Sequence, residues 1–217
     1  MCNNPILHAM AAKPQHDRRH GFLTKMRRFA SDRRGVAALE FIFVAPLLFG
    51  LYFLTLEFAQ AIDTNKKVSR VASTVGDLIA QQPSITPGEV DAIMKIGGAL
   101  LTPYKRSPPK IIVTAVEITD EPTPQVRVVW SRKLQDGKTS EALKPGSSAE
   151  VPEKLKTRGS FYIWATADLG YKPIITWSES GKKTLGLTAM VGLDNMEMSE
   201  RYYLRPRMSR TIPCPDC

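Results

Sequence analysis

The sequence predicts an α+β protein: one long N-terminal helix that crosses a membrane and continues into a head built from a second helix and an antiparallel sheet. Three observations predict it. A 21-residue run from Val36 to Leu56, VAALEFIFVAPLLFGLYFLTL, holds a single charge, Glu40. Beyond it, apolar residues recur at helical spacing as far as Pro83. After Pro108-Pro109 the pattern changes to the alternation of half-buried strands.

The apolar run has no polar face, which separates it from a buried core helix. At 1.5 Å per residue it is ~31 Å long, enough for the hydrocarbon core of a bilayer. In TNKKVSRVASTVGDLIAQQ, Val68, Val71, Val75 and Leu78-Ile79 then form one stripe, and Pro83 ends the helix. A single helix from Val36 to about Gln82 is ~70 Å long. A break near Asp63-Thr64 would make it two. Thr86-Pro87-Gly88-Glu89 starts a second helix: Thr86 caps, Pro87 suits the first turn, and Glu89 completes a capping box. Val90, Ile93 and Met94 line its apolar face, and Gly97-Gly98 weaken its end.

Residues 110–120 and 125–134, joined by EPTP, read as a β-hairpin. Residues 135–158 are polar and rich in Lys, Gly and Ser, the composition of a surface loop with room for a short helix. Residues 161–171 form a third strand, 176–187 a turn or short strand, and 196–205 a last strand, giving a sheet of about four. The expected organisation is a basic leader (1–35), a transmembrane helix (36–60) and a head (61–217).

Charge distribution narrows the function. The chain has 30 Lys and Arg against 21 Asp and Glu, a net +9. Residues 1–35 account for +6 of this, with eight basic residues and two Asp, and residues 36–217 for only +3. The basicity therefore belongs to a leader and not to a nucleic-acid-binding head, and no nucleic acid is expected as partner. The best basic stretch elsewhere, PYKRSPPK (103–110), is short and broken by prolines, and reads as a solvated loop. All three histidines (His8, His16, His20) lie in the leader, so the head has no histidine for a triad, a metal site or general-base catalysis. Cys214 and Cys217 alone cannot make a four-thiolate zinc site. No metal, cofactor or enzymatic activity is expected.

Lys25, Arg27, Arg28, Arg33 and Arg34 crowd the front of the apolar run, whereas the flank behind it, EFAQAIDTNKK, is mixed. The positive-inside rule puts the N-terminus in the cytoplasm and the head outside, in a bacterium the periplasm. Cys214 and Cys217 would there meet an oxidising compartment and form a disulfide, within the chain or between chains. A thiol redox role for Cys214-Pro215-Asp216-Cys217 is the rival reading, but no helix follows to lower a thiol pKa. Two export signals compete with an anchor: secretory cleavage after Ala59-Gln60-Ala61, against which stand the long basic arm and Glu40, and a twin-arginine signal at Arg18-Arg19, whose spacing is wrong.

The entry Arg33-Arg34-Gly35-Val36-Ala37-Ala38-Leu39-Glu40-Phe41 resembles the cleavage site of type IV prepilins. With Tyr-Tyr-Leu-Arg-Pro-Arg (202–207) and the cysteines that follow, the chain is similar to the TadE-like family of tight-adherence (Flp) pilus assembly proteins. That resemblance implies a pilin-like α+β plan and a minor pseudopilin, with a peptidase cutting between Gly35 and Val36. It also implies that Glu40, beside Phe41, sets subunit register by pairing with the new α-amino group of a neighbour. A charge within an apolar helix costs about 2.5–3.5 kcal/mol near the bilayer centre, less near its edge, and persists where it has a partner. The implied partners are the membrane, a prepilin peptidase, other pilins or pseudopilins and the pilus assembly machinery. The implied location is the bacterial inner membrane, single-pass. The alternative is a membrane-anchored periplasmic protein whose function lies in its thiol motif or in a binding head.

Overall fold

The computed structural model describes residues 35–173 and 196–217. The leader, with Cys2 and the three histidines, lies outside the described residues, as does the turn or short strand expected at 176–187. The elements are α1 (Val36–Ala80), α2 (Pro87–Ala99), β1 (Lys110–Ile118), β2 (Val126–Gln135), β3 (Lys138–Glu141), β4 (Phe161–Gly170) and β5 (Glu197–Leu204), with a 3-10 turn at Glu153–Leu155. The fold is α+β. Two compact units meet within α1, between Phe53 and Leu54.

α1 is one helix of 45 residues, unbroken at Asp63-Thr64, with Pro46 inside it. Within the second unit its inner stripe, Val68, Val71, Ala72, Val75 and Ile79, is fully buried. α2 begins with the expected capping box: the Thr86 side chain accepts from the Glu89 backbone N–H, and the Glu89 carboxylate accepts from Thr86 N. The Thr86 backbone N–H and the Thr86 hydroxyl both donate to the Glu89 carboxylate and hold it below its ordinary pKa.

The sheet is antiparallel with order β3-β2-β1-β4-β5. Among the described residues it has five strands, one more than expected. The added strand, β3, pairs Lys138 with Gln135 and Glu141 with Arg132 across a two-residue turn, Asp136-Gly137. Both turn residues have positive φ (52° and 74°), the conformation that closes a tight hairpin. Residues 135–158 are thus a hairpin followed by a loop, and not loop throughout.

Alternation sorts the sheet's side chains onto two faces. Ile111, Val113, Ala115, Trp130, Ile163, Ala167 and Met198 join the α1 stripe and Met94 in the main core. A register shift between Ala115 and Val116 leaves Val129 opposite no single partner. On the other face Val116, Ile118, Val126, Val128, Val151 and Tyr162 make a second cluster, against which Leu155, Trp164 and Tyr203 pack. Thr114 and Ser131, both buried, satisfy each other there at 2.8 Å.

Two glycines let the layers approach. A Cβ on Gly76 would fall 2.5 Å from Leu204 Cδ1, and one on Gly97 2.3 Å from Val75 Cγ2. α2 is further tied to the sheet by Arg132, whose Nε and Nη2 donate to the two carboxylate oxygens of Asp91 at 2.7 and 2.8 Å. Burial opposes ionisation of Asp91. The hydrogen bonds from Arg132 and Thr139, with the charges of Arg132 and Lys95, outweigh it and leave the pKa lowered. The stability this pair contributes is therefore present above the ordinary carboxylate range and lost as pH falls through the lowered value.

The neighbouring glycines of α2 give a paired test of this packing. Gly97→Ala should destabilise the head by about 1–3 kcal/mol through overpacking against Val75. At Gly98 an added Cβ finds only ordinary contact, 3.7 Å from Pro109 Cγ, so Gly98→Ala should be neutral or stabilising by up to about 1 kcal/mol. Thermal unfolding of the detergent-solubilised chain, followed by tryptophan fluorescence, reads both. Equal effects from the two substitutions would contradict the close approach at Gly97.

Candidate functional site

The residues singled out in the sequence fall into two places. Gly35 stands directly before α1, Val36 is its first residue, and Glu40 lies one turn further on, flanked by Phe41. Glu40 is exposed, and Phe41 is 69% exposed, in company with Ile42, Phe43, Leu47, Leu48, Phe49 and Leu51. A helix surface this apolar is unstable in water and suited to lipid or to other helices. α1 is long and apolar enough to cross a membrane, as expected of a single-pass membrane protein.

Cys214 and Cys217 lie in the other unit and are joined to each other, with Cα atoms 5.4 Å apart. The segment that carries them is seated on the head. Ile212 is fully buried, and its carbonyl accepts from Trp130 Nε1 at 2.8 Å. Pro213 O accepts from Ile85 N at 3.1 Å. Arg207 N donates to Ala80 O at 2.8 Å, satisfying a carbonyl at the end of α1, and the Arg207 guanidinium pairs with Asp77. Both cysteines pack against the main core. No helix begins at Cys214, so neither sulfur has the helix N-terminus that activates a redox thiol. Among the described residues no three His, Cys, Asp or Glu side chains are grouped to hold a metal.

Sequence reasoning missed a third cluster. Glu57, the first charge after the apolar run, is 4% exposed and accepts a hydrogen bond from Tyr171 Oη at 2.5 Å. Tyr171 stacks on Tyr104, ring centroids 5.7 Å apart. The Tyr104 hydroxyl accepts from Lys172 N at 2.8 Å. Arg106 sits 5.1 Å from the centre of the Tyr104 ring and donates to Lys172 O at 2.6 Å and to Gln60 Oε1 of α1 at 3.2 Å. Burial, together with the hydrogen bond to Glu57 and its negative charge, pushes the Tyr171 phenol pKa well up, against a smaller opposing effect of Arg106. Charge on Glu57 is an obvious feature of the sequence; its donor, 114 residues away, has no local signal.

The cluster makes a testable contribution to stability. Because the folded-state pKa of Tyr171 is raised, its contribution is fully present below the ordinary phenol value near 10 and is lost as pH rises towards the folded one. Tyr171→Phe should destabilise the head by about 1.5–3 kcal/mol at neutral pH, the value of a hydrogen bond to a charged group. It should also flatten the fall in stability above pH ~10. Chemical denaturation of both proteins at neutral and alkaline pH measures this. An unchanged alkaline slope would remove Tyr171 as its source.

No curated protein and no solved structure matches the chain. The stretch that does match a known family begins at the glycine preceding α1 and runs through the apolar surface into the buried stripe. Residues 35–77, from Gly35 to Asp77, match the model of the TadE-like protein family.

Proposed function

We propose that the chain is a non-catalytic minor pseudopilin that serves the assembly of a tight-adherence pilus. The observation that carries this reading is the match of residues 35–77 to the TadE-like family, over a helix whose exposed apolar surface holds one carboxylate, Glu40. The leader stays in the cytoplasm, α1 spans the inner membrane, and the head stands in the periplasm. A prepilin peptidase cuts after Gly35, which leaves Val36 as the new N-terminus and Glu40 one turn into the helix. Glu40 meets the α-amino group of a neighbouring subunit, and the charge pair sets the stagger between helices that are otherwise interchangeable in an apolar medium. The head, with its two helices on one sheet face, is the part that meets other pilins, pseudopilins and the assembly machinery.

N-terminal sequencing of membrane-extracted protein should return Val36 as the first residue. A start at Met1 favours an uncut anchor, and a start at Ile62 a secretory signal. Glu40→Ala should leave insertion and cleavage intact, since it makes the helix more apolar. It should reduce pilus assembly, counted by electron microscopy; normal fibre numbers would refute the register role.

The periplasmic placement makes a separate prediction. Thiol trapping on intact cells should find Cys214 and Cys217 oxidised and the chain monomeric on a non-reducing gel. Their bridge closes a very short loop, so Cys214→Ser should cost little stability on the chain-entropy account. Full labelling of both thiols would put the head in the cytoplasm and reverse the topology.

A further inference from the structure

The basic loop 103–110 has a place in the fold that its sequence did not disclose. Arg106 holds Gln60, four residues beyond the end of the apolar run at Leu56, and at the same time the carbonyl of Lys172. Lys105, Arg106 and Lys172 are all exposed, and the bonds of Arg106 to Gln60 and to Lys172 O bring these neighbouring cations to one side of α1 where its apolar run stops. On α1 at that level Leu54, Leu56, Phe58 and Ile62 are exposed (39–57%), which calls for an apolar environment beside the helix. The carboxylates nearby are already engaged: Glu57 with Tyr171, and Asp63 with Lys67 at 2.9 Å.

We propose that Lys105, Arg106 and Lys172 form a collar that binds the headgroups of anionic phospholipids in the leaflet nearest the head. The inference rests on the reading of α1 as a membrane span. An apolar helix segment followed at once by cations matches the order of a bilayer surface, with acyl chains first and phosphates next. Arg106 serves twice: its guanidinium is braced on Gln60 and Lys172 O, and over the Tyr104 ring, so the collar is fixed to the helix that enters the membrane. Lys105 and Lys172, without such bracing roles, supply charge to the lipid. The consequence is mechanical. Headgroup binding at the collar resists withdrawal of α1 from the bilayer.

Each basic side chain at a lipid surface changes affinity by about fivefold. Full-length protein in neutral detergent, titrated with phosphatidylglycerol or phosphatidylcholine and read by native mass spectrometry, tests the collar. The wild type should bind phosphatidylglycerol in preference to phosphatidylcholine. Lys105→Gln with Lys172→Gln should weaken phosphatidylglycerol binding about twentyfold or more and leave phosphatidylcholine unchanged. Lys144→Gln with Lys154→Gln removes the same charge from an exposed loop elsewhere on the head and should change neither. Equal losses from the two pairs, or no loss from the first, would overturn the collar, as would displacement of the lipid by an equal concentration of free glycerol phosphate. Alkaline extraction of the source membranes separates this from the span itself. A wild-type chain released by carbonate overturns both readings. A retained chain with equal lipid capture by wild type and variant overturns the collar alone.

Discussion

The main core of the head closes onto one stripe of α1. Val68, Val71, Ala72, Val75 and Ile79 are buried completely, and the residues around them are chosen to come close. Gly97 of α2 lies where a methyl group would overlap Val75, and Gly76 of α1 lies where one would overlap Leu204 of β5. Interiors are packed at near-crystalline density, so an approach that close fixes position rather than merely excluding water. α2 and the sheet are thereby placed by the same helix whose earlier residues are apolar enough for a membrane.

Glu40 and Glu57, two of the four carboxylates on that helix, sit in contrasting settings. Glu57 is satisfied within its own chain by a buried tyrosine, and Arg106 lies close by. Glu40 is exposed among aromatic and branched side chains. Burial with a donor makes Glu57 a structural tie between helix and head. Exposure on an apolar surface makes Glu40 costly until something outside the helix meets it.

The helices and four of the strands were legible because their signals are local. Thr86 and Glu89 interact over one turn, the stripe of α1 repeats every three or four residues, and β1, β2, β4 and β5 lie within a residue or two of the segments where apolar residues alternate. β3 carried a local signal as well, the Asp136-Gly137 turn, but its strand has almost no apolar residues, and composition alone read it as loop. The Tyr171–Glu57 bond and the seat of Ile212 beside Trp130 join residues 114 and 82 positions apart, and no periodicity announces such pairs. The basic loop 103–110 was visible as charge, yet its meaning depended on Gln60, a neutral residue on another element.

The seating of residues 207–214 has a temporal side. Arg207 finishes the end of α1, Ile212 fills the core beside Trp130, and Pro213 receives the backbone of Ile85 at the approach to α2. A ribosome makes these residues after every described strand of the sheet. Until they arrive, the helix end and the indole of Trp130 lack their partners. The head therefore becomes a closed body only when this segment has been made, and the order of synthesis itself holds that closure to the end.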